Sequence, residues 1–302
     1  MISKKLSNGY EMPGLAFGTW ILPDEKEFET AINSALECGY RHIDTAYLYQ
    51  NESLLGKILK KWLTSGKIKR DELFITSKLP MFGNNKDRVE KYITKSLADL
   101  QLDYVDMYLL HFPVATADGT FETPIQKLTA DDTNHYTLWQ KMQEQVELGR
   151  TRAIGLSNFN RKQIENILTF CRIPPSCLQI ETHLFLQQKE LVSFCQKNKI
   201  VVTGYAPIGT PGINKFLTSI GQDEKMLPNG LDHPLIKSVA EKYNKSASQV
   251  MLRYLIERDI IPIPKSCNPK RIKENIEVFD FVLCFEDMEQ LETLDMGEQG
   301  WP

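Results

Sequence analysis

A chain of 302 residues, 42% hydrophobic and 25% charged, can bury a substantial core, either as one large barrel or as two ordinary domains. Its formal net charge of −3 and pI near 6.0 argue against a nucleic-acid partner, because no basic excess is left to attract phosphate backbones. No apolar run approaches bilayer-spanning length, and the stretch from Met1 to Leu6 is polar with two lysines, so the expectation is a cytoplasmic protein with no membrane partner.

In chain order, the first feature is Asn8-Gly9 between short alternating stretches at 6–12, the usual signal of a two-residue hairpin. Short apolar runs suited to buried strands then recur at 15–17, 40–44, 73–77, 104–110, 152–155, 178–180, 200–204 and 260–264. Helical periodicity predicts helices between them at 25–38, 86–100, 136–148, 161–169, 189–197, 235–243 and 248–258. Gly39 and Gly149 follow two of these where a C-cap glycine belongs.

Eight strands alternating with helices form either a closed (β/α)8 barrel or an open doubly wound sheet. The open sheet should carry G-x-G-x-x-G after its first strand, and no such run exists. The expected fold is therefore α/β, a (β/α)8 TIM barrel with an N-terminal β-hairpin, forming a single domain over residues 1–302. The longer segments 113–134, 207–233 and 282–302 would be βα-side loops around one mouth.

Six cysteines show no C-x-x-C pair and no paired spacing with the five histidines, so neither a metal site nor a disulfide framework is expected. The Asn-x-Ser triplets at Asn51 and Asn244 are accidental in a chain without a secretion signal.

Chemically useful side chains recur just after predicted strands, and a barrel gathers those strand ends onto one face. Asp44 and Tyr49 follow the second strand, Lys78 the third and His111 the fourth. His42 and His183 are expected to be structural.

Three runs carry a resemblance: Asp44-Thr45-Ala46-Tyr47-Leu48-Tyr49-Gln50-Asn51-Glu52, then Phe74-Ile75-Thr76-Ser77-Lys78, then Asp106-Met107-Tyr108-Leu109-Leu110-His111-Phe112-Pro113. In these motifs, and over essentially its whole length, the sequence resembles the aldo-keto reductase family, in its aldose and aldehyde reductase-like, NADPH-dependent form. The resemblance implies reduction of aldehydes and ketones to alcohols by hydride transfer, with Tyr49 as general acid. Lys78 would lower the pKa of Tyr49, Asp44 would hold Lys78 charged, and neutral His111 would orient the carbonyl. Relatives that reduce a steroid carbon–carbon double bond carry Glu where this chain has His111, so carbonyl reduction is implied.

The implied cofactor is NADPH/NADP+. Its contacts would come from Gly18, Thr19, Trp20 and Asp44, with Ser157, Asn158 and Gln179 on the carboxamide and Tyr205 stacked on the ring. Ala206, Pro207, Ile208, Gly209 and Thr210 would follow it outward. Lys265, Ser266, Cys267, Asn268, Arg271, Glu274 and Asn275 match the family's adenosine site, with the 2′-phosphate at a helix start where backbone N–H groups also favour an anion.

Trp20, Leu48, Tyr49, His111 and Phe112, with Tyr47 and Phe121, would frame an apolar substrate pocket, suited to uncharged and even steroid-like carbonyls. Phe112 and Pro80 stand where relatives often have Trp, which widens it. One departure concerns the cofactor: relatives clamp the pyrophosphate with a Lys–Asp salt bridge, where this chain has Ile21 and Gly212. A monomer is expected. A non-catalytic NADPH-binding regulatory subunit of the same fold is the alternative reading.

Overall fold

The computed structural model describes residues 2–20, 24–116, 133–219 and 228–297; Ile21 and Phe121 lie outside the described residues. The Asn8-Gly9 turn joins β1 (Ser3–Lys5) to β2 (Glu11–Pro13) in an antiparallel hairpin with Lys4 opposite Met12. Gly9 takes φ +91°, a conformation that a β-carbon resists, which is why the turn requires glycine.

Eight parallel strands follow: β3 (Phe17–Gly18), β4 (His42–Asp44), β5 (Phe74–Leu79), β6 (Val105–Leu110), β7 (Thr151–Ser157), β8 (Cys177–Glu181), β9 (Val201–Tyr205) and β10 (Ile260–Ile263). They pair in chain order, and the two ends of the row meet. The Ala16 N–H donates to the Pro262 carbonyl at 3.0 Å, and the Gly18 N–H to that of Pro264 at 2.9 Å. The sheet thus closes on itself, as the alternation together with the missing glycine run predicts, a (β/α)8 barrel with an N-terminal hairpin.

The helices are α1 (Glu25–Glu37), α2 (Glu52–Thr64), α3 (Val89–Leu100), α4 (His135–Glu147), α5 (Arg161–Phe170), α6 (Lys189–Lys197), α7 (Ile213–Ser219), α8 (Pro234–Tyr243), α9 (Ala247–Glu257), α10 (Pro269–Ile276) and α11 (Phe285–Glu292). Each main crossover turns an apolar stripe to the sheet. In α1 the stripe is Phe28, Ala31, Ile32, Ala35 and Leu36, and Asp24 caps the start by accepting the Glu27 N–H.

Strand side chains alternate between two cores, as the two-residue period requires. In β6, Tyr108 and Leu110 face the helices, whereas Met107 and Leu109 face the barrel axis. There they join Phe74, Ala153, Cys177 and Ile261, and the hairpin's Leu6 and Met12 pack against this cluster. His42 also belongs to the interior, with Nε2 2.9 Å from the Thr76 hydroxyl.

The expected elements shift in several places, and the segments 207–233 and 282–302, expected as loops, also carry α7 and α11. The predicted pattern omits α2, although Leu55, Ile58 and Leu59 carry a helical period, because those residues directly follow the Asn51-Glu52 motif. The helix expected at 86–100 starts at Val89, after a loop in which Asn85 accepts the Asp87 N–H. Strand β5 runs on to Leu79, so Lys78 lies within the strand rather than after it. Among the described residues, no helix is long and apolar enough to cross a membrane, and no group of His, Cys, Asp and Glu is arranged to hold a metal ion.

Candidate active site

Asp44 ends β4, Lys78 is the fifth residue of β5, and His111 follows β6 directly. A 3-10 turn, Tyr47–Tyr49, brings Tyr49 to the same end of the barrel. The four groups expected to converge do so.

Lys78 is fully buried, and its ammonium has three acceptors: Asp44 Oδ1 at 2.6 Å, the Thr45 carbonyl at 2.9 Å and the Tyr49 hydroxyl at 3.1 Å. An ammonium has three N–H groups, so all are used. Because the Tyr49 oxygen accepts from Lys78, the phenol's own proton is left to point elsewhere. Asp44 Oδ2 in turn accepts from Gln179 Nε2 at 2.8 Å, which ties the pair to β8 across the barrel.

Burial alone would push Lys78 down, but the charges and hydrogen bonds of Asp44 and Tyr49 outweigh it and hold the ammonium above its ordinary value. Tyr49 departs from expectation. Burial pushes the phenol up, Lys78 pulls it back, Asp44 adds to the rise, and the net position lies above the ordinary phenol value. Lys78 therefore offsets a desolvated site without making Tyr49 acidic at rest. A phenol in this state stays protonated through neutral pH, and the adjacent ammonium stabilises the phenolate left once its proton departs.

His111 is pulled well below its ordinary value, first by burial and then by Lys78, so it is neutral at pH 7. Its ring stacks on Phe112, 4.7 Å between centroids at 14°, and meets the Tyr49 ring edge-on at 5.7 Å. Of the residues expected in an apolar rim, Leu48 and Phe112 are half-buried and Trp20 is 45% exposed. Tyr47, expected in that rim, packs its ring edge-on against Phe82 and Tyr92.

The residues expected to meet a carboxamide also lie together. Ser157 pairs with Gln179 in register. Asn158, at φ +63°, donates to the His111 carbonyl at 2.9 Å and to the Ser157 hydroxyl at 3.2 Å, and accepts from the Tyr205 hydroxyl at 2.9 Å. Asn158 thus links the aromatic side of the site to the backbone of His111.

Beyond Tyr205 the chain turns through left-handed Ala206, Gly209 and Thr210. Ile208, Gly209, Thr210 and Gly212 border a cavity of about 190 Å³, lined also by Pro228 and Asn229. Gly18 and Lys265 are neighbours: a β-carbon on Gly18 would lie 3.5 Å from that of Lys265. Thr19 donates to the Asp44 carbonyl at 3.0 Å.

At the start of α10, the Asn268 side chain accepts the N–H groups of Lys270 and Arg271 at 2.9 and 3.3 Å, and the Ser266 hydroxyl accepts that of Asn268. The backbone amides expected to favour an anion are therefore partly engaged, because Asn268 caps the helix itself. Side chains remain: Arg271 is exposed, Lys265 and Cys267 are half-buried, and Glu274 and buried Asn275 lie one turn on.

Two motif residues received no role from the sequence. Asn51 accepts from the Thr45 hydroxyl at 2.8 Å and donates to the Thr19 carbonyl at 2.9 Å, so its amide serves the turn that presents Tyr49. Glu52 is a buried carboxylate, pushed up to about 7 by burial even though the Ser77 and Ser96 hydroxyls and Lys78 pull it down.

The sequence profile of the Aldo/keto reductase family matches residues 14–296. The chain is 42% identical over 298 residues to aldo-keto reductase family 1 member A1-A of Danio rerio, covering 97% of this chain and 90% of that protein. It is 40% identical over 301 residues to an aldose reductase of Encephalitozoon cuniculi, covering 98% and 94%. The solved aldose reductase of Schistosoma japonicum superposes with a TM-score of 0.87 at 38% identity, covering 99% of this chain and 93% of that one.

Proposed function

The chain belongs to the aldo/keto reductase family, whose members act on small carbonyl compounds with nicotinamide cofactors, and from that premise we propose that it reduces apolar aldehydes and ketones to alcohols with NADPH. The observation that carries this reading is the 3.1 Å contact of the buried Lys78 ammonium with the Tyr49 hydroxyl.

The residues fit the cofactor. Tyr205 offers an aromatic face at the barrel end, Asn158 holds its hydroxyl and Gln179 stands beside Asp44, and further along the chain Ile208 and Gly212 border a cavity. Lys265 and Arg271 offer two cations at the α10 start for a 2′-phosphate. When bound, the dihydronicotinamide supplies the hydride that reduces the carbonyl carbon. The chain supplies the rest. Neutral His111 orients the carbonyl oxygen, and Tyr49 donates its proton to the alkoxide as charge develops there. Lys78, held by Asp44, stabilises the resulting phenolate, and the rim of Trp20, Leu48 and Phe112 excludes water and favours apolar substrates.

The Lys78–Tyr49 contact favours catalysis over a non-catalytic regulatory subunit. Six unpaired cysteines fit a reducing compartment such as the cytoplasm. Following NADPH absorbance with an aromatic aldehyde tests the proposal, and the expected result is alcohol formed in step with NADPH consumed. In the same assay, Arg271→Ala should weaken NADPH binding by roughly 10–100-fold, the worth of a charge-assisted contact to phosphate, while NADH binding stays nearly unchanged. Equal losses for both cofactors would remove Arg271 from the phosphate site.

A further inference from the structure

Glu52 stands outside the four groups that meet at the barrel mouth, yet it joins the segments that carry two of them. It lies in the first turn of α2, three residues after Tyr49, and is 3% exposed. Each carboxylate oxygen accepts one hydroxyl: Ser77 donates to Oε1 at 2.5 Å and Ser96 to Oε2 at 2.8 Å, and both serines are fully buried. Ser77 immediately precedes Lys78 on β5, whereas Ser96 belongs to α3.

The surrounding chain makes this reach possible. A β-carbon on Gly56, one turn along α2, would lie 2.3 Å from the Asp99 carbonyl, so glycine there lets α2 lie directly against the end of α3. Within electrostatic reach of Glu52 are Lys78 from β5, Asp99 and Lys95 from α3, and Tyr108 from β6, and Tyr47 and Tyr92 act in turn on Tyr108. Placing a carboxylate in this setting costs more than an apolar residue of the same size would, so packing alone does not account for it.

We propose that Glu52 is a positioning residue for the proton transfer: through Ser77 it fixes the distance between the Lys78 ammonium and the Tyr49 hydroxyl. The inference rests on the proposed carbonyl reduction. Side chains alternate along β5, so the Ser77 hydroxyl reaches Glu52 on the helix side while Lys78 faces the barrel interior. The tether therefore holds Lys78 from behind and leaves the mouth clear. On the other side, the short link from Tyr49 to Glu52 is stiffened by left-handed Gln50 and by the two hydrogen bonds of Asn51. The Ser96 bond holds α2 to α3 and touches neither the Tyr49 turn nor β5.

Three variants separate positioning from packing. Ser77→Ala and Ser96→Ala each remove one hydroxyl from the same carboxylate, so their unfolding midpoints should fall alike. Ser77→Ala should lower kcat roughly tenfold or more at unchanged NADPH affinity, because small misplacements of reacting groups carry losses of that order. Ser96→Ala should stay within about twofold of wild type, because its hydroxyl belongs to neither the strand of Lys78 nor the turn of Tyr49. Glu52→Gln should retain kcat within about threefold, since serine hydroxyls can donate or accept. Without turnover, the tyrosinate absorbance that Tyr49→Phe removes should titrate at higher pH in Ser77→Ala and not in Ser96→Ala. Equal kcat and equal titration in the two serine variants would overturn the inference. A wild type that reduces no carbonyl would overturn the functional reading, and the titration would still decide the tether.

Discussion

Tyr49→Phe should lower kcat for an aromatic aldehyde roughly 10²–10⁴-fold while NADPH affinity stays within about twofold, the range expected when one general acid is removed and binding is not. The substitution deletes one oxygen. That oxygen accepts from Lys78 at 3.1 Å and carries the proton proposed for the alkoxide, while the ring that meets His111 at 5.7 Å is preserved. The pH dependence follows from the direction of the shift. Tyr49 lies above its ordinary value of 10.0, so the proton is present throughout the neutral range and is lost only as pH rises past that raised value. Wild-type reduction should therefore show no loss attributable to Tyr49 between pH 6 and 9 on that account, a window of roughly three units. Steady-state kinetics and cofactor fluorescence titration on the two proteins check both parts. Retention of turnover in Tyr49→Phe would move the acid to another group, with the Lys78 ammonium the nearest.

The second large effect is on stability. Glu52 is raised from 4.5 to about 7 in the folded chain, chiefly by burial. Between those two values the folded state holds a proton that the unfolded state has released, so this group's contribution is fully present below pH 4.5 and is lost as pH rises through about 7. Glu52→Gln removes the titration but keeps an acceptor for the serines. Its stability relative to wild type should rise by roughly 2–3 kcal/mol between pH 5 and pH 8, the linkage equivalent of that shift. Urea unfolding at the two pH values measures it. A relative stability that falls over the same interval would mean that the carboxylate is favoured in the ionised form and that Lys78 outweighs burial.

Much of this was legible in the residues. Short apolar runs alternating with helical segments placed the barrel strands, and the missing glycine fingerprint decided between closed and open sheets, because phosphate chemistry demands a particular loop. Asp44, Tyr49, Lys78 and His111 could be singled out because a parallel barrel brings the ends of its strands together. What escaped depended on burial and direction, which a linear pattern does not carry. Lys78 beside Tyr49 suggested a lowered phenol, yet desolvation by residues distant in sequence outweighs one cation. Tyr47 reads as part of the pocket until the turn directs its ring to Phe82 and Tyr92. Glu52 lay inside a recognised motif, but its serine partners are 25 and 44 positions away, and only the packing of α2 on α3 reveals them. The anion site at α10 changed in kind, because Asn268 engages amides that the sequence left open.

The most direct test of the central claim traces the hydrogen that reaches the substrate. With NADPH deuterated at the transferred position and an aromatic aldehyde in ordinary water, mass spectrometry of the alcohol should find one deuterium on the carbinol carbon and ordinary hydrogen on the oxygen. An alcohol without deuterium on carbon, or no alcohol from a folded wild type that binds NADPH, would contradict the account.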